Sequence, residues 1–559
     1  MSSPAASLPA PLVAAADRLR RAQKVALAIP PAHVLSGLIL VQWLGVLALA
    51  LMVRHNGWLY YAGGDQLWHY SGAYLLAHGH LPPSYVGYGW SVLLAPLAAV
   101  AGPNLVSALP GIVLLNTVVL LPVALFCVYY ISARIAGRLF GYFAAGLWIA
   151  LPYFGILFVE PGYHQKYTEL TLPQLIGLTS VPDFPAMVAL LGAAALCLRA
   201  LDAQSWHYAA AAGLATGASI AMKPSNSIWL VTPFLLFAIE RRRALLPYAA
   251  AVACGLVTLA LWKYRGLGEL AATPAEPVRV AAGVTDLFNR IHGTQLNSWD
   301  HLRQVLDSLR EHFWVARVME WLPVAGSIAL LLRSRRGFLL VGTWFIAYVL
   351  TKATYLDASV ENASFWRIMM PAFPAFLILA ASVVLLVPGV RAHPVKTRAV
   401  NPSSRGFALA LAVAFVAFTI VPFGVIAATP RLHDGGTKAL RLGSTLISVT
   451  PIGFQATAKA SSVDLSWRPQ RAPGSSVFYR VLRTNQPGGG VACAGKPAPA
   501  SADCELFMDS VATGETTSFV DHPGRGTWVY RIGVAANWLN DPTLGDIYVV
   551  SPPVTVRVP

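Results

Sequence analysis

Four ionisable residues stand apart from other charges, each where a long apolar run begins or ends. Asp65 lies in Y-A-G-G-D-Q, about a dozen residues past the first run, and Asp183 lies in S-V-P-D-F-P directly before a later one. Lys223 ends a Gly-rich run in A-M-K-P-S-N, and Arg367 opens a run in F-W-R-I-M-M-P-A-F-P. An ionisable group at the boundary of an apolar segment is a functional candidate by default. Two carboxylates and two cations facing one cleft suit a transfer reaction with an anionic leaving group. One carboxylate takes the proton of an incoming hydroxyl, and the cations stabilise a departing phosphate. Arg offers that phosphate a bidentate contact and Lys a point charge. Each residue also has a purely structural role open to it. Asp65 or Asp183 can cap a helix, with Pro185 near the first turn. Lys223 and Arg367 can snorkel to an interface. Recurrence at four separate run ends favours a shared cavity.

These residues are held by a membrane protein. The chain has 559 residues, 56% hydrophobic and only 12% charged, where soluble domains carry about 25% charged residues. That composition excludes a soluble globular domain and a disordered chain. Five Cys are too few for a disulfide framework. A helical span needs about 20 mostly apolar residues. Eleven runs qualify, approximately 33–53, 104–131, 138–159, 184–201, 207–222, 227–239, 246–263, 313–332, 338–352, 368–388 and 406–428. The fifth and sixth are short. A further apolar stretch, 86–102, is read as a helix lying at the membrane surface.

Charge sets the orientation. Segments 1–32, 132–138, 199–206, 240–245, 333–337 and 391–405 hold seventeen Lys and Arg and three acids, Asp17, Asp202 and Glu240, a surplus of +14 out of the chain's +16. This positive-inside pattern puts them in the cytoplasm, with the C-terminus outside. A span at 86–102 would invert everything after it. The basic residues are scattered at run ends, which removes a nucleic-acid partner. The basic N-terminal tail precedes a run with no small-residue cleavage site, so that run is read as a retained first span. The expectation is a multi-pass protein of the plasma (inner) membrane, with residues 1–32 as a cytoplasmic tail and 33–428 as the membrane domain.

Beyond 428 the continuous runs give way to alternation. Val463, Leu465 and Trp467 alternate with polar partners, as do Val477, Tyr479 and Val481, and Trp528, Tyr530, Ile532 and Val534. Period two between turn residues indicates half-buried strands. Some seven such runs in about 110 residues fit an all-β sandwich over 446–559, joined by a linker at 429–445. Cys493 and Cys504 fall in this outer domain and are expected to pair, since disulfides persist in oxidising compartments. Cys127, Cys197 and Cys254 lie in spans, as small apolar packing residues.

Other charged groups on the outer side are few. The first outer loop adds His69, and the second adds Glu160, His164 and Lys166 as candidates for substrate contact. With Asp65 the two histidines and Glu160 leave a divalent metal open, although their spacing is not diagnostic of one. No cofactor is expected to be required.

The ordered set of motifs resembles the C-type (GT-C) integral-membrane glycosyltransferases, particularly the group similar to protein O-mannosyltransferases and aminoarabinose transferases. The resemblance covers about 33–390. It rests on G-G-D-Q in the first outer loop, G-Y-G-W-S-V-L-L-A-P-L at 87–97, P-D-F-P, G-L-A-T-G-A-S-I-A-M-K at 213–223 and R-I-M-M-P-A-F-P at 367–374. It implies transfer of a sugar from a polyprenyl-phosphate carrier to an extracytoplasmic glycan, lipid or protein, with inversion. It also implies Asp65 as the base, Asp183 as a residue positioning acceptor or sugar, and Lys223 and Arg367 on the lipid phosphate. Some relatives carry two adjacent acids in the first loop, where this chain has Asp65 followed by Gln66. The C-terminal L-S-W of Leu465 to Trp467 and Y-R-I of Tyr530 to Ile532 resemble a fibronectin type III module. Competing classes are a transporter or flippase, which needs ionisable groups near mid-span, a non-catalytic envelope scaffold, and an enzyme that moves a whole glycan.

Overall fold

The computed structural model describes residues 25–52, 65–101, 105–267, 299–395, 405–429, 452–470, 476–485, 491–493, 504–506, 508–537 and 549–559, apart from positions 26, 78, 80, 83, 85, 356–357, 389 and 391. The expected linker therefore lies almost wholly outside the described residues.

The N-terminal part is a bundle of helices. In chain order these are α1 (Pro31–Leu51), α2 (Asp65–Ala77), α3 (Tyr88–Ala101), α4 (Ala108–Ala136), α5 (Arg138–Ile156), α6 (Asp183–Asp202) and α7 (Trp206–Met222). There follow α8 (Val231–Glu240), α9 (Arg242–Gly266), α10 (Trp299–His312), α11 (Ala316–Arg333), α12 (338–353), α13 (Ser364–Leu386) and α14 (Gly406–Ala428). Among the described residues seven are long and apolar enough to cross a membrane, namely α1, α4, α5, α6, α9, α13 and α14. All eleven expected runs coincide with helix, but four fall short of that measure. Three are short, α7 with 17 residues, α8 with 10 and α12 over 338–353. α11 carries Arg317, Glu320 and Arg333. The stretch 86–102 forms α3, which buries Tyr88, Trp90, Ser91, Leu94 and Ala98 against its neighbours.

α6 is the most enclosed of the seven and α14 the least. On α1 the outward residues Leu40, Val41, Leu44, Leu47 and Leu51 are exposed, an apolar face that lipid tolerates and water does not. α7 packs between α6 and α9. A Cβ on Gly213 would stand 2.4 Å from the Tyr248 carbonyl oxygen, and the Gly217 backbone meets Gly255. Small residues four apart let helices approach this closely in a membrane, which accounts for the Gly-rich run before Lys223.

All six basic segments have described residues that gather at one end of the bundle. Arg138 donates to the Ile29 carbonyl at 2.8 Å. Arg134 pairs with Asp202 and bonds the Val395 carbonyl. Arg336 pairs with Glu240 at 2.7 Å, and Arg241 donates to the Ala200 carbonyl at 2.8 Å. Asp202 and Glu240 thus pair with nearby Arg side chains.

The C-terminal part is all β. Its strands are β1 (Gln455–Ala458), β2 (Val463–Ser466), β3 (Ser476–Thr484), β4 (Val491–Cys493), β5 (Cys504–Leu506), β6 (Asp509–Gly514), β7 (Ser518–Asp521), β8 (Gly526–Asn537), β9 (Val549–Val550) and β10 (Val554–Val558). One sheet runs β1-β2-β7 and another β10-β8-β3-β6, with β9 also on β8 and a separate β4-β5 hairpin. Every pairing is antiparallel. The alternating residues named from sequence form the core, with Val463, Leu465, Trp467, Tyr479, Val481, Tyr530, Ile532 and Val534 buried. Trp467 meets Tyr479 at 5.5 Å, linking β2's end to β3. Asp521 accepts two bonds from Arg483 and one from the Tyr530 hydroxyl at 2.7 Å.

Candidate active site

Three of the four singled-out residues meet at the end of the bundle opposite the Arg-rich segments. Asp183 is the first residue of α6, whose far end carries Asp202. Twenty residues of helix put those two carboxylates about 30 Å apart. Lys223 donates its ammonium to Asp183 Oδ1. Arg367 Nη2 donates to Asp183 Oδ2 at 3.3 Å, and Lys223 Nζ also donates to the Arg367 carbonyl at 3.1 Å. The Asp183 side chain is 1% exposed, whereas those of Lys223 and Arg367 are 20% and 27% exposed. The cations therefore reach solvent and the carboxylate does not. Asp183, expected to position acceptor or sugar, spends both oxygens on the two cations. It orients them.

Local sequence explains how each arrives. Lys223 precedes Pro224, and a residue before proline avoids the helical region. It adopts an extended backbone and ends α7. Asn226 pins the turn. Its amide donates to Ser219 Oγ at 2.8 Å, Ser219 Oγ donates to the Ala186 carbonyl of α6 at 2.8 Å, and Tyr348 of α12 donates to Asn226 Oδ1 at 3.1 Å. The G-Y-G-W motif belongs to this construction. A Cβ on Gly87 would stand 2.1 Å from the Ala221 carbonyl oxygen, and one on Gly89 2.8 Å from the Met222 nitrogen. Only glycine lets α3 lie against the chain just before Lys223.

Arg367 is presented by a strained turn. Ala363 is buried in the left-handed region at φ 62°, and Asn362 Oδ1 accepts from the Ser364 N–H at 2.9 Å to start α13. Trp366, next to Arg367, donates to the Tyr163 hydroxyl at 2.8 Å. That hydroxyl donates to the Val360 carbonyl at 2.5 Å. Burial pushes the Tyr163 phenol up to about 12, so it keeps the proton it donates.

Asp65 opens α2, but its side chain lies outside the described residues. Its neighbour Gln66 is fully buried and accepts the Ser180 N–H at 2.6 Å, three residues before Asp183. Trp90 Nε1 donates to the Ser180 carbonyl at 2.7 Å, and Asn116 Nδ2 to that of Thr179 at 3.2 Å. α2, α3 and α4 thus grip the turn that leads into Asp183. Gln66, the departure from the two-acid pattern, supplies a neutral acceptor there.

The other candidates do not join Asp183 among the described residues. His69 is buried on α2, where its carbonyl accepts from Ser91 Oγ at 3.0 Å. Glu160 pairs with His312 Nδ1 at 2.6 Å. His164 is exposed, and Lys166 donates to the Glu361 carbonyl at 2.7 Å. Glu160 and Lys166 belong instead to a separate clasp. In it the His312 ring stacks on Tyr163 at 4.4 Å and Val159 bridges Phe313. No group of three or more His, Cys, Asp or Glu side chains stands together among the described residues.

Sequence reasoning missed Lys352. It is half-buried at the end of α12, with Nζ 5.4 Å from the centre of the Tyr355 ring. The signal was available, because T-K-A-T-Y ends an apolar run as A-M-K-P does.

No protein-family model and no curated protein matches the chain. Among solved structures it is similar to the Archaeoglobus fulgidus oligosaccharyltransferase in the apo form, at 14% identity and TM-score 0.42, covering 72% of this chain and 57% of that one. It is similar to the same protein tethered to an acceptor peptide containing the NVT sequon, at 14% identity and TM-score 0.42, covering 72% and 56%. It is also similar to the archaeal oligosaccharyltransferase in complex with an inhibitory peptide and a dolichol-phosphate, at 13% identity and TM-score 0.38, covering 72% and 56%. This chain spans a little over half the length of those structures. At such TM-scores they bear on neither substrate nor mechanism.

Proposed function

We propose that this chain is a GT-C membrane glycosyltransferase that moves a sugar from a polyprenyl-phosphate donor to an extracytoplasmic glycan, lipid or protein, inverting the anomeric carbon. One observation carries the reading. Asp183, Lys223 and Arg367, far apart in sequence, converge where two cations reach solvent over a buried carboxylate. A pair of cations held this way suits the phosphate of a leaving group. Asp65 is the base for the acceptor hydroxyl, in α2 whose Gln66 contacts the Asp183 turn. Asp183 fixes the cations. His69, Glu160, His164 and Lys166 shape the acceptor side, and no cofactor is required.

The protein sits in a bacterial plasma membrane with eleven spans. The Arg-rich end faces the cytoplasm, in line with the charge bias, so the site faces outward and α3 lies along the outer surface. The C-terminal domain is a fibronectin type III-like module outside, and the order β1-β2-β7 facing β10-β8-β3-β6 supports that assignment. It holds the enzyme near a cell-envelope acceptor. Cys493 and Cys504 are register partners on β4 and β5. Antiparallel neighbours lie about 4.5–5.5 Å apart at Cα, within the range a disulfide bridges, which supports the expected pairing.

The test uses purified protein in nanodiscs with a panel of labelled polyprenyl-phosphate sugars and an envelope extract as acceptor. Wild type should release polyprenyl phosphate from one donor, and Asp65→Asn should not. Release by both removes Asp65 from its role. Release by neither, with no donor bound, refutes the transferase.

A further inference from the structure

The turn that leads into Arg367 is held harder than a turn needs to be. Ala363, four residues before Arg367, is fully buried at φ 62°, a left-handed conformation that strains a residue with a Cβ. Glycine would adopt it freely. Such strain persists only where the surroundings over-determine it, and it gathers at ligand clamps. Here three carbonyls just before Ala363 are each held by a side chain from elsewhere in the chain. His301 Nε2 donates to that of Ala358 at 2.8 Å, the Tyr163 hydroxyl to that of Val360 at 2.5 Å and Lys166 Nζ to that of Glu361 at 2.7 Å. Tyr163 serves twice, since its hydroxyl also accepts the Trp366 indole N–H at 2.8 Å. The Trp366 ring is packed against Tyr167 at 6.1 Å and Phe313 at 5.4 Å. A helix turns about 100° per residue, so fixing Trp366 fixes the direction in which Arg367 leaves the first turn of α13. Tyr163 is itself braced. The His312 ring stacks on it at 4.4 Å, Glu160 Oε1 accepts from His312 Nδ1 at 2.6 Å, and the Glu160 N–H donates to the His312 carbonyl at 3.0 Å.

We propose that Tyr163, braced by the Glu160–His312 pair, is a positioning residue for Arg367: through Val360 and Trp366 it aims the guanidinium at the lipid phosphate. The inference rests on the transferase reading and names what holds one of its two cations in place. Arg is a long side chain, and ordering it on binding costs rotamer freedom. A turn that is already fixed removes part of that cost before the lipid arrives. Asp183 acts on the far end of the same side chain, 3.3 Å from Nη2. Asp183 therefore sets the guanidinium, and Tyr163 sets the backbone beneath it. The strain at Ala363 fits this division. A turn with no task could take glycine, whose freedom would loosen the presentation of Arg367. No clasp residue needs to touch the lipid, because a misplacement of about 1 Å at the contacting group is enough to cost function.

The experiment measures affinity, stoichiometry and melting midpoint for the full-length protein in nanodiscs, with polyprenyl phosphate as the probe. Tyr163→Phe keeps the ring on His312 and removes only the hydroxyl. Affinity should fall about tenfold at unchanged stoichiometry, the order that one charge-assisted contact supplies. Arg367→Gln should weaken binding by at least as much. Tyr163→Phe added to Arg367→Gln should cost less than about twofold more, because residues that act through one another are not additive. Ala363→Gly relieves the strained φ and cuts no hydrogen bond. It should leave the melting midpoint within about 3 °C of wild type and still weaken binding by at least about threefold, since a looser turn no longer aims Arg367. Unchanged affinity in Tyr163→Phe overturns the inference and leaves the transferase reading standing. So does a full tenfold loss on top of Arg367→Gln, which would make the clasp a brace for the fold alone. Should Tyr163→Phe not fold, unchanged affinity in Ala363→Gly overturns the inference in its place. Wild type that binds no polyprenyl phosphate refutes the transferase reading and the inference with it.

Discussion

Replacing Asp183 by Asn removes one negative charge and little volume. The carboxylate is 1% exposed, with Lys223 on one oxygen and Arg367 at 3.3 Å from the other. At an effective dielectric of about 20, a unit charge pair at that distance is worth about 5 kcal/mol before desolvation. Removing one partner of such a buried group typically costs about 3–5 kcal/mol, because the remaining charges are left uncompensated. Here two cations lose the same carboxylate, so the upper part of that range is expected. The membrane domain offers its own reporter. Cys127 and Cys197 are buried in α4 and α6, and Cys254 is half-buried in α9. A thiol-reactive dye therefore reads unfolding of the bundle, provided Cys493 and Cys504 are replaced by Ser. The melting midpoint should fall on the order of 5–10 °C. Excess polyprenyl phosphate should raise it more in Asp183→Asn than in wild type, since a bound anion replaces the missing charge. Adding Lys223→Met should recover part of the loss, because the two residues share one network. A midpoint within about 1 °C of wild type would show that the triad holds nothing in place, and the reasoning from buried charge would fail.

Three further outcomes follow from the same geometry. Gly87→Ala sets a methyl 2.1 Å from the Ala221 carbonyl oxygen, so α3 must retreat. Stability should fall by about 1–3 kcal/mol, and turnover by at least about tenfold through the displaced Lys223, read by melting and donor release. Asp521→Asn removes the charge opposite Arg483 and one of the two oxygens that accept from Arg483 and Tyr530 in the sandwich. Cleavage of the C-terminal domain by added protease should accelerate by at least about tenfold, because opening tracks the lost stability. Protein isolated without reductant and trapped with an alkylating reagent should be unmodified at Cys493 and Cys504. Modification at both sites would remove the disulfide.

Much of the site was legible because charge at the end of an apolar run is expensive unless something nearby repays it. That physical cost singled out Asp183, Lys223 and Arg367, and the three found one another. Lys352 obeys the same rule but was absorbed into the apolar run 338–352, where counting hydrophobic residues conceals a terminal cation. Glu160 and His312 are separated by 152 positions, and nothing in either loop announces the pairing. The same holds for Trp366 and Tyr163, which together steady the turn bearing Arg367. In the membrane domain, apolar length located the helices and the break at Lys223–Pro224, but did not show the widening into π turns in α12. In the sandwich, period-two alternation found the core strands. The β4-β5 hairpin escaped because three-residue strands are too short to show a period.

The most direct test is a cryo-EM structure of the full-length protein in nanodiscs with a non-transferable polyprenyl-phosphate sugar analogue. The phosphate should lie within hydrogen-bond reach, about 3 Å, of Lys223 Nζ and the Arg367 guanidinium. The opposite end of the bundle holds Arg134, Arg241 and Arg336, an equally cationic competitor. Phosphate density there, with Lys223 and Arg367 still closed on Asp183, would contradict the account.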